Sequence, residues 1–386
     1  MLLSKLSCID RKGQIDILTE NGKISSITEY GTIKNTSSDI IDFKDASVFP
    51  GLINSHDHLD FNLFPQLGNR NYNNYVEWGE DIHKQNKEVI DAVLKIPKEL
   101  RVQWGIYKNL INGVTTVVNH GVHLQIDNNL IRVWQSTHVL HSVQLEKRWK
   151  LKLNFPFIKS WPFSIHTGEG TDDASYKEIE ELLRWNFLKR SLIGIHGIAM
   201  REDQASEFKG IVWCPVSNNF LIGRTAEIDK LKNETSILFG TDSTLSASWN
   251  IWEHLRLARQ KKMLTDDELF ESLTVQAAKV WPIPNAGEIK KGFDADIVIG
   301  KKKSSLEGMD AFYALNPEDI LMVISKGSIR LFDETLLHNL NTMEIDLKSF
   351  SKIYINGACK YIAGDLPLLI RKVKEYYSGA SFPVTA

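Results

Sequence analysis

His56 and His58 are two histidines separated by a single residue, a spacing that places two imidazoles within reach of one metal ion. They follow a short apolar run, residues 48–53, which Pro50 and Gly51 interrupt. If this run is a β-strand, side chains two residues apart point to the same side, so both rings aim at one point. As an isolated signal the pair is weak, because surface histidines reach the same spacing by chance.

Three further polar residues follow predicted strands later in the chain, each beside a glycine. They are His166 at the end of residues 163–166, His196 at the end of 192–196, and Asp242 two residues after the run 236–240. In a (β/α)8 barrel the carboxyl ends of the strands meet at one rim, where catalytic groups lie. Three imidazoles and one carboxylate at such a rim would suit zinc or ferrous iron.

The elements that must position these residues alternate between strand-like and helix-like runs over residues 48–286. Predicted helices cover residues 87–112, 177–188, 249–262 and 266–280, and the last begins with a capping box formed by Thr265 and Glu268. Roughly 240 residues of this alternation predict an α/β fold, a (β/α)8 TIM barrel, whose usual size is about 250 residues.

The middle of the predicted barrel is thin. Between residues 118 and 166 we predict one strand at 136–144 and a second at 151–155, with little helix between them. One barrel strand or its helix is therefore expected to be reduced.

Both ends of the chain are predicted to be β-structure and to form one small β-sandwich. Two alternating runs within residues 1–47 are joined by Asn21-Gly22, a pair typical of a type I′ hairpin. That unit is too short to bury its own core, and residues 287–360 contain further strand-like runs that supply partners. The predicted domains are the sandwich parts 1–47 and 287–360, the barrel 48–286, and a C-terminal helix and tail, 361–386.

The composition excludes several classes of protein. Of 386 residues, 42% are hydrophobic and 24% charged, and the net charge is −2, so neither nucleic acid nor a membrane surface is an expected partner. We find no signal-peptide core and no apolar stretch of membrane-spanning length. Three widely spaced cysteines suggest reduced thiols and a cytoplasmic protein.

Taken in order, the motifs resemble the amidohydrolase superfamily over residues 1–360. The resemblance runs through Pro50-Gly51-Leu52-Ile53-Asn54-Ser55-His56-Asp57-His58, Gly113-Val114-Thr115-Thr116, His166-Thr167-Gly168-Glu169, His196-Gly197, Cys214-Pro215-Val216-Ser217-Asn218-Asn219, Gly240-Thr241-Asp242-Ser243 and Gly292-Phe293-Asp294-Ala295-Asp296-Ile297-Val298. The His-x-x-Glu and Cys-Pro-x-Ser-Asn motifs are most similar to cytosine, guanine and S-adenosylhomocysteine deaminases and to triazine hydrolases. That branch typically uses one metal ion.

The resemblance implies a role for each motif residue. His56, His58, His166 and Asp242 would hold one divalent metal ion, zinc in the first place and ferrous iron as the alternative. Asp242 would also take a proton from the attacking water, Glu169 would protonate the substrate, and His196 would hydrogen-bond the developing oxyanion. Without that role, Glu169 would be a loop carboxylate that caps the following helix. A homodimer is a further expectation from the resemblance.

Other residues are weaker candidates with structural roles as the alternative. They are His120, His123 and His141 near the second and third strands, Asn62, Phe64 and Trp78 in the loop after the first strand, and Asn218 after the seventh. Cys214 is expected to be a core residue. Lys150 and Lys152 are the only lysines near a position for a carbamate that bridges two metals, which is the minority alternative.

The leading functional prediction is a metal-dependent hydrolase that deaminates a nitrogen heterocycle. The alternative is a hydrolase of cyclic amides or imines that opens a ring. A non-catalytic scaffold on the same fold is a third hypothesis, and it predicts missing metal ligands. Asp57, between the two histidines, is expected on the opposite side of the strand and outside the ligand set.

Overall fold

A computed structural model describes the chain except for residues 11, 33–38, 127–128, 157–158, 304, 344 and 386. The strands are β1 (Leu2–Cys8), β2 (Gln14–Glu20), β3 (Lys23–Glu29), β4 (Ile40–Asp42), β5 (Ala46–Pro50), β6 (Leu52–Asp57), β7 (Val114–Asn119), β8 (Arg132–Trp134), β9 (His138–Ser142), β10 (Phe163–Thr167), β11 (Leu192–His196), β12 (Phe208–Trp213), β13 (Ser236–Phe239), β14 (Ile297–Lys301), β15 (Ile320–Ser325), β16 (Ser328–Asp333), β17 (Phe350–Ile355), β18 (Ala358–Ala363) and β19 (Val384–Thr385).

The α-helices lie mainly between the strands of the middle region. They are α1 (Tyr75–Gln85), α2 (Lys87–Leu94), α3 (Lys98–Ile111), α4 (Trp149–Leu153), α5 (Asp173–Trp185), α6 (Glu202–Ala205), α7 (Pro215–Ile222), α8 (Ile228–Leu231), α9 (Ile251–Lys261), α10 (Asp266–Glu271), α11 (Val275–Val280), α12 (Gly308–Tyr313), α13 (Leu337–Asn341) and α14 (Leu366–Tyr376). None of the described helices combines the length and the apolar composition that crossing a bilayer demands.

One mixed sheet combines the two ends of the chain. Its order is β19-β17-β18-β16-β15-β14-β5-β1-β2-β3, with β4 beside β1. The hairpin between β2 and β3 turns at Asn21 and Gly22, which both have positive φ, as a type I′ turn requires. The seam between the chain ends is the antiparallel pairing of β5 with β14, which runs from Ala46↔Lys301 to Pro50↔Ile297.

Two parallel sheets lie between these ends, with orders β6-β7-β8 and β13-β12-β11-β10-β9. In β6, β7, β10 and β11 every side chain is buried. Burial on both faces is the environment of a parallel sheet that helices cover. The backbone N–H groups of Thr241 and Asp242, just after β13, donate to the carbonyl of His56 on β6 at 3.2 and 3.1 Å. The two parallel sheets therefore meet at the site residues, and the predicted α/β fold is confirmed.

Three predicted elements differ from the structure. The helix predicted at 87–112 is two helices, because Pro97 cannot donate to the helical ladder and stands before α3. The helix predicted at 266–280 is also two, separated by a non-helical Thr274. The strand predicted at 151–155 is wrong, since residues 149–153 form α4 with Trp149 and Leu153 buried one helical turn apart.

Between β7 and β10 the chain contains two short strands, β8 and β9, which are too short for the sequence pattern to predict both of them clearly. β8 pairs with β7, β9 pairs with β10, and only residues 135–137 separate β8 from β9. No helix lies between these two strands among the described residues. The expected reduction of one strand–helix unit therefore falls between the two parallel sheets.

Candidate active site

The predicted metal-binding histidines converge where β6 and β10 end. His166 Nε2 lies 3.3 Å from His56 Nε2, and the ligand atoms of His56, His58 and His166 all lie within 4.8 Å of one another. Asp242 Oδ1 approaches the same point, 3.7 Å from His56 Nε2 and 3.8 Å from His58 Nε2. His196 joins a second such group with His56 and Asp242.

These separations fit a single divalent ion. Two ligand atoms that each lie about 2.1 Å from a tetrahedral metal are roughly 3.4 Å apart. The observed distances between His56, His166 and Asp242 are 3.3 and 3.7 Å. The donors are imidazole nitrogens and a carboxylate oxygen, the set that zinc and ferrous iron accept in proteins. A divalent metal is therefore supported by the distances and by the chemistry of the donors.

The ring of His166 is held in the orientation that a ligand needs. Its Nδ1 lies 3.0 Å from the carbonyl oxygen of His141 on β9. A carbonyl only accepts, so Nδ1 carries the hydrogen and Nε2 keeps a free lone pair toward the cluster. Burial, followed by the neighbouring imidazoles of His120 and His56, lowers the pKa of His166 well below its usual value. The neutral ring is the form that binds a metal.

Asp242 is fixed by its own backbone and by two serines. Its φ of 58° lies in the left-handed region, which aspartate tolerates better than most residues. Ser217 Oγ and Ser246 Oγ donate to Oδ2 at 2.9 and 2.8 Å. Burial alone would raise the pKa of Asp242, but the interactions with His58 and His196 and the two serine hydrogen bonds lower it. Asp242 is therefore an ionised acceptor at neutral pH.

Glu169 and His196 face each other beside this cluster. Glu169 Oε2 lies 3.4 Å from His196 Nε2, and both side chains are buried. Burial, followed by the charges of Asp242 and Glu178, raises the pKa of Glu169 well above its usual value. His196 Nδ1 lies 2.8 Å from Asn218 Oδ1 and donates to it, so Nε2 is the nitrogen that faces Glu169. Glu169 is thus placed to hold a proton and to give it up.

Glu178, on α5, is a functional candidate that the sequence did not single out. Its Oε1 accepts the backbone N–H of Gly168, and its Oε2 accepts from Gln144 Nε2 at 3.1 Å and from Tyr75 OH at 3.3 Å. Burial raises the pKa of Glu178 to about 7. Gly168 precedes Glu169, so the Glu178 carboxyl holds the loop that carries the predicted proton donor. Its place beside Ile179, on the buried side of an amphipathic helix, is the one signal that the sequence offers.

Asp57 points away from the cluster, as predicted. Its Oδ2 accepts from Lys108 Nζ at 2.9 Å and from Asn109 Nδ2 at 2.7 Å, and its Oδ1 accepts from Asn62 Nδ2 at 2.9 Å. Asn109 also accepts from Asn54 Nδ2 at 3.0 Å. This buried polar network joins α3 to β6 directly behind the two histidines.

A cavity of about 350 Å³ opens next to the cluster. It is lined by His58, Phe61, His120, Val139, His141 and Lys152, among others. The ring of Phe61 stacks on that of His58 with centroids 5.4 Å apart. The cavity therefore offers aromatic and polar groups beside the predicted metal ligands, and it lies where the chain between β7 and β10 is short.

Of the remaining candidate residues, some line the cavity and others lie in the core or on the surface. His120 and His141 line the cavity, whereas His123 is exposed and lines a neighbouring one. Phe64 is buried in the core, Trp78 donates to the carbonyl of Leu67 at 2.7 Å, and Cys214 is a buried core residue as predicted. Lys150 and Lys152 form ion pairs with Glu181 and Glu146, at 2.6 and 2.8 Å. Neither lysine belongs to a metal-binding group among the described residues.

Comparison with known proteins matches part of the chain to one family. A model described as the amidohydrolase family matches residues 162–330, which include β10 to β15 together with His166, Glu169, His196 and Asp242. The resemblance to the amidohydrolase superfamily is confirmed. With it, the prediction of a metal-dependent hydrolase is confirmed in preference to a non-catalytic scaffold.

Among curated proteins, this chain is similar to deaminases over most of its length. It is 26% identical to the 5-methylthioadenosine/S-adenosylhomocysteine deaminase of Caldicellulosiruptor saccharolyticus, with 88% of this chain and 94% of that protein covered. It is 24% identical to the 5'-deoxyadenosine deaminase of Methanococcus aeolicus, with 78% and 84% covered.

Among solved structures, the chain shares its fold with a triazine hydrolase from Arthrobacter aurescens. The TM-score is 0.71 at 15% identity, and 97% of this chain and 98% of that one are covered. An adenosine deaminase from Xanthomonas campestris with bound zinc gives a TM-score of 0.68 at 14% identity, with 98% and 97% covered. At such low identity these similarities establish the fold alone.

Proposed function

We propose that this chain is a metal-dependent deaminase that hydrolyses the bond between a nitrogen heterocycle and its exocyclic amino group. The observation that carries the proposal is the meeting of the His56, His58 and His166 nitrogens with the Asp242 carboxylate, beside the buried Glu169. One centre thus combines metal ligands, an ionised base and a protonated acid. Hydrolytic deamination requires these three functions together.

In this proposal His56, His58, His166 and Asp242 hold one divalent ion, which we propose to be zinc, with ferrous iron as the alternative. When bound, such an ion acts as a Lewis acid and lets a water molecule lose its proton near neutral pH. His166 is oriented for this role by the carbonyl of His141. His56 and His166 are buried, whereas His58 is partly exposed and lines the cavity.

Asp242 Oδ1 is the proposed acceptor for the proton of the attacking water. Ser217 and Ser246 donate to Oδ2, so Oδ1 faces His56 and His58 in a fixed orientation. The low pKa of Asp242 keeps the carboxylate ionised and ready to accept. General base catalysis of this kind typically contributes about 10²- to 10⁴-fold in rate.

Glu169 is the proposed donor that protonates the ring nitrogen or the leaving amino group. Burial raises the pKa of this carboxyl well above its usual value, which favours the protonated form. His196 faces it at 3.4 Å and donates its Nδ1 hydrogen to Asn218, so Nε2 of the neutral ring is a hydrogen-bond acceptor. Once Nε2 has gained a proton, His196 would hydrogen-bond the oxyanion that develops as water adds. When Glu169 protonates the ring nitrogen, the proton that Asp242 took from water passes to the amino group, which leaves as ammonia. The hydroxyl group that water added to the carbon then returns a proton to Glu169.

The names of the curated relatives suggest adenosine derivatives as substrates. We therefore propose an aminopurine, carried as a base or as a nucleoside, as the substrate class. The cavity of about 350 Å³ lies at the lower end of the range for ligand pockets, about 300–1,000 Å³. A flat ring can stack against Phe61 there.

The finer architecture is also part of the proposal. We infer that the two parallel sheets close into one barrel at residues 48–286, with the β8–β9 run bridging them on the side opposite β13 and β6. Residues 1–47 and 287–360 would form the sandwich domain, followed by the tail at 361–386. The homodimer and the cytoplasmic location stay predictions.

Two measurements on the purified full chain test the function. Elemental analysis is expected to find about one equivalent of zinc or iron, whereas two equivalents would support a two-metal centre. Ammonia release is then followed with adenosine, 5'-deoxyadenosine, 5'-methylthioadenosine, S-adenosylhomocysteine, adenine, guanine, cytosine and pterins. Hydrolysis of cyclic amides with no ammonia from this panel would contradict the deaminase and favour the ring-opening alternative.

A further inference from the structure

We propose that His120 binds the heterocycle of the substrate through a hydrogen bond at its Nε2 atom. This inference rests on the proposed function and adds a substrate-binding residue to it. From the sequence alone, His120 could be either a pocket residue or a structural one. Its position, its unpaired nitrogen and the cavity beside it decide in favour of the pocket.

The backbone fixes His120 at the centre of the site. It is the first residue after β7, and its N–H donates to the carbonyl of Asp57 at 2.9 Å, between the two histidines of β6. The side chain is only 3% exposed. Its ring centroid lies 4.4 Å from that of His166, 5.2 Å from that of His56 and 5.3 Å from that of His58.

The two ring nitrogens of His120 have different surroundings. Nδ1 lies 3.4 Å from Ser164 Oγ, whereas Nε2 is buried without a hydrogen-bond partner among the described residues. Leaving a buried polar atom unpaired costs about 1–3 kcal/mol, so such an atom beside a cavity is suited to receive a ligand. If His120 were only structural, a hydrogen-bond partner for Nε2 would stabilise the fold, and we would expect to find one.

His120 is also distinct from the proposed metal ligands. The groups of ligand atoms that lie within 4.8 Å of one another contain His56, His58, His166, His196 and Asp242, and His120 is absent from them in the described part of the chain. The same ring lines the 350 Å³ cavity together with His58 and His141. It therefore stands between the metal cluster and the space for substrate.

The chemistry of the cavity indicates what His120 would bind. Phe61 and Val139 supply apolar surface for a flat ring, and the ring of His120, with its unpaired Nε2, lines the same cavity. A planar heterocycle with a ring nitrogen or an exocyclic oxygen near its amino group matches this arrangement. His120 would orient the ring so that the carbon bearing the amino group faces the metal cluster.

Two substitutions of His120 distinguish the contribution of Nδ1 from that of Nε2. In His120→Asn the amide occupies the place of Nδ1, so the Ser164 contact is kept and the Nε2 contact is lost. In His120→Gln the amide reaches the place of Nε2. His123→Asn is the matched control, because His123 lies three residues further on and is exposed. Both His120 variants stay polar, and urea unfolding verifies that they fold.

The experiment measures kcat, KM and metal content of each holoenzyme with whichever panel substrate releases ammonia fastest. We expect His120→Asn to raise KM about 10- to 100-fold with a smaller change in kcat and full metal content. His120→Gln should recover most of the loss, and His123→Asn should match the wild type.

Other outcomes overturn the inference in distinguishable ways. Loss of metal in His120→Asn would make His120 a metal ligand. Equal effects of Asn and Gln, or no effect of either, would make its role structural. If the wild-type holoenzyme releases no ammonia from any panel substrate, the proposed function fails, and a role in binding its substrate fails with it.

Discussion

Lys108 Nζ lies 2.9 Å from Asp57 Oδ2, and the two side chains are only 2% and 0% exposed. This ion pair sits on the opposite side of β6 from the imidazoles of His56 and His58, since alternate side chains of a strand point to opposite faces. Lys108 also donates to Asn62 Oδ1 at 2.9 Å. The metal-facing side of β6 is therefore backed by a buried ion pair that is hydrogen-bonded to the amides of Asn62 and Asn109.

Replacing Lys108 by methionine should destabilise the protein strongly. The substitution keeps the volume but leaves the Asp57 carboxylate buried without a cation, which typically costs 3–5 kcal/mol. We expect the free energy of unfolding in urea to fall by about that amount. Lys87→Met is the control, because Lys87 pairs with Asp91 at the surface and such pairs are worth about 0–1 kcal/mol. Equal effects of the two substitutions would mean that the buried pair contributes little.

Asp242→Asn should keep the fold and lose most activity. Asparagine tolerates the left-handed backbone at this position and can still accept from Ser217 and Ser246, but it cannot take a proton from water. We expect kcat for ammonia release to fall about 10²- to 10⁴-fold. Unfolding in urea and metal content are measured alongside, with Asp173→Asn, an exposed position on α5, as the control. An unchanged kcat would remove Asp242 from the mechanism.

Asn218→Ala tests how His196 is oriented. The substitution removes the acceptor of the His196 Nδ1 hydrogen, so the ring loses its fixed tautomer while the metal ligands are untouched. Loss of such an orienting partner typically costs about 10- to 100-fold in activity. We expect that loss in kcat at unchanged metal content. The neighbouring Asn219 is exposed, and Asn219→Ala should behave as the wild type. Loss of metal from Asn218→Ala would instead make His196 a ligand.

The position of a site residue was predictable from the sequence where it depends only on the strand that carries the residue. His56, His58, His166 and His196 lie at or directly after strand ends, so the spacing of each motif and the parallel sheet together bring them to one place. Asp57 could be set apart for the same reason. Pro97 also carried a readable signal, because a proline marks the start of a new helix more often than the middle of one.

Other features depend on partners that are distant in the chain. Leu151, Leu153 and Phe155 alternate as in a strand, yet Leu153 is buried with Trp149 on one face of α4, whereas Leu151 is 72% exposed. β8 has only three residues, too few for a pattern to resolve. Glu178 lies on the buried side of an amphipathic helix, but its partners Gly168, Gln144 and Tyr75 come from three other segments, so the sequence does not show what its carboxyl binds.

Glu178 also makes stability depend on pH in a definite direction. Burial raises its pKa in the folded protein from an ordinary 4.5 to about 7. The folded state therefore binds more protons than the unfolded state between these two values, and stability is present in full below about pH 4.5 and falls as pH rises through 7. A shift of this size corresponds to about 3 kcal/mol.

Glu178→Gln removes this titration and keeps the size of the side chain. Glutamine can still accept the Gly168 N–H, and it has no charge to bury at high pH. We therefore expect the stability of the variant relative to the wild type to increase by about 3 kcal/mol between pH 5 and pH 8. Taking the difference cancels metal loss and the titration of other groups, which both proteins share. Glu181→Gln, on the exposed side of α5, should give no such difference, and a pH-independent result for Glu178→Gln would mean that its carboxyl stays ionised when buried.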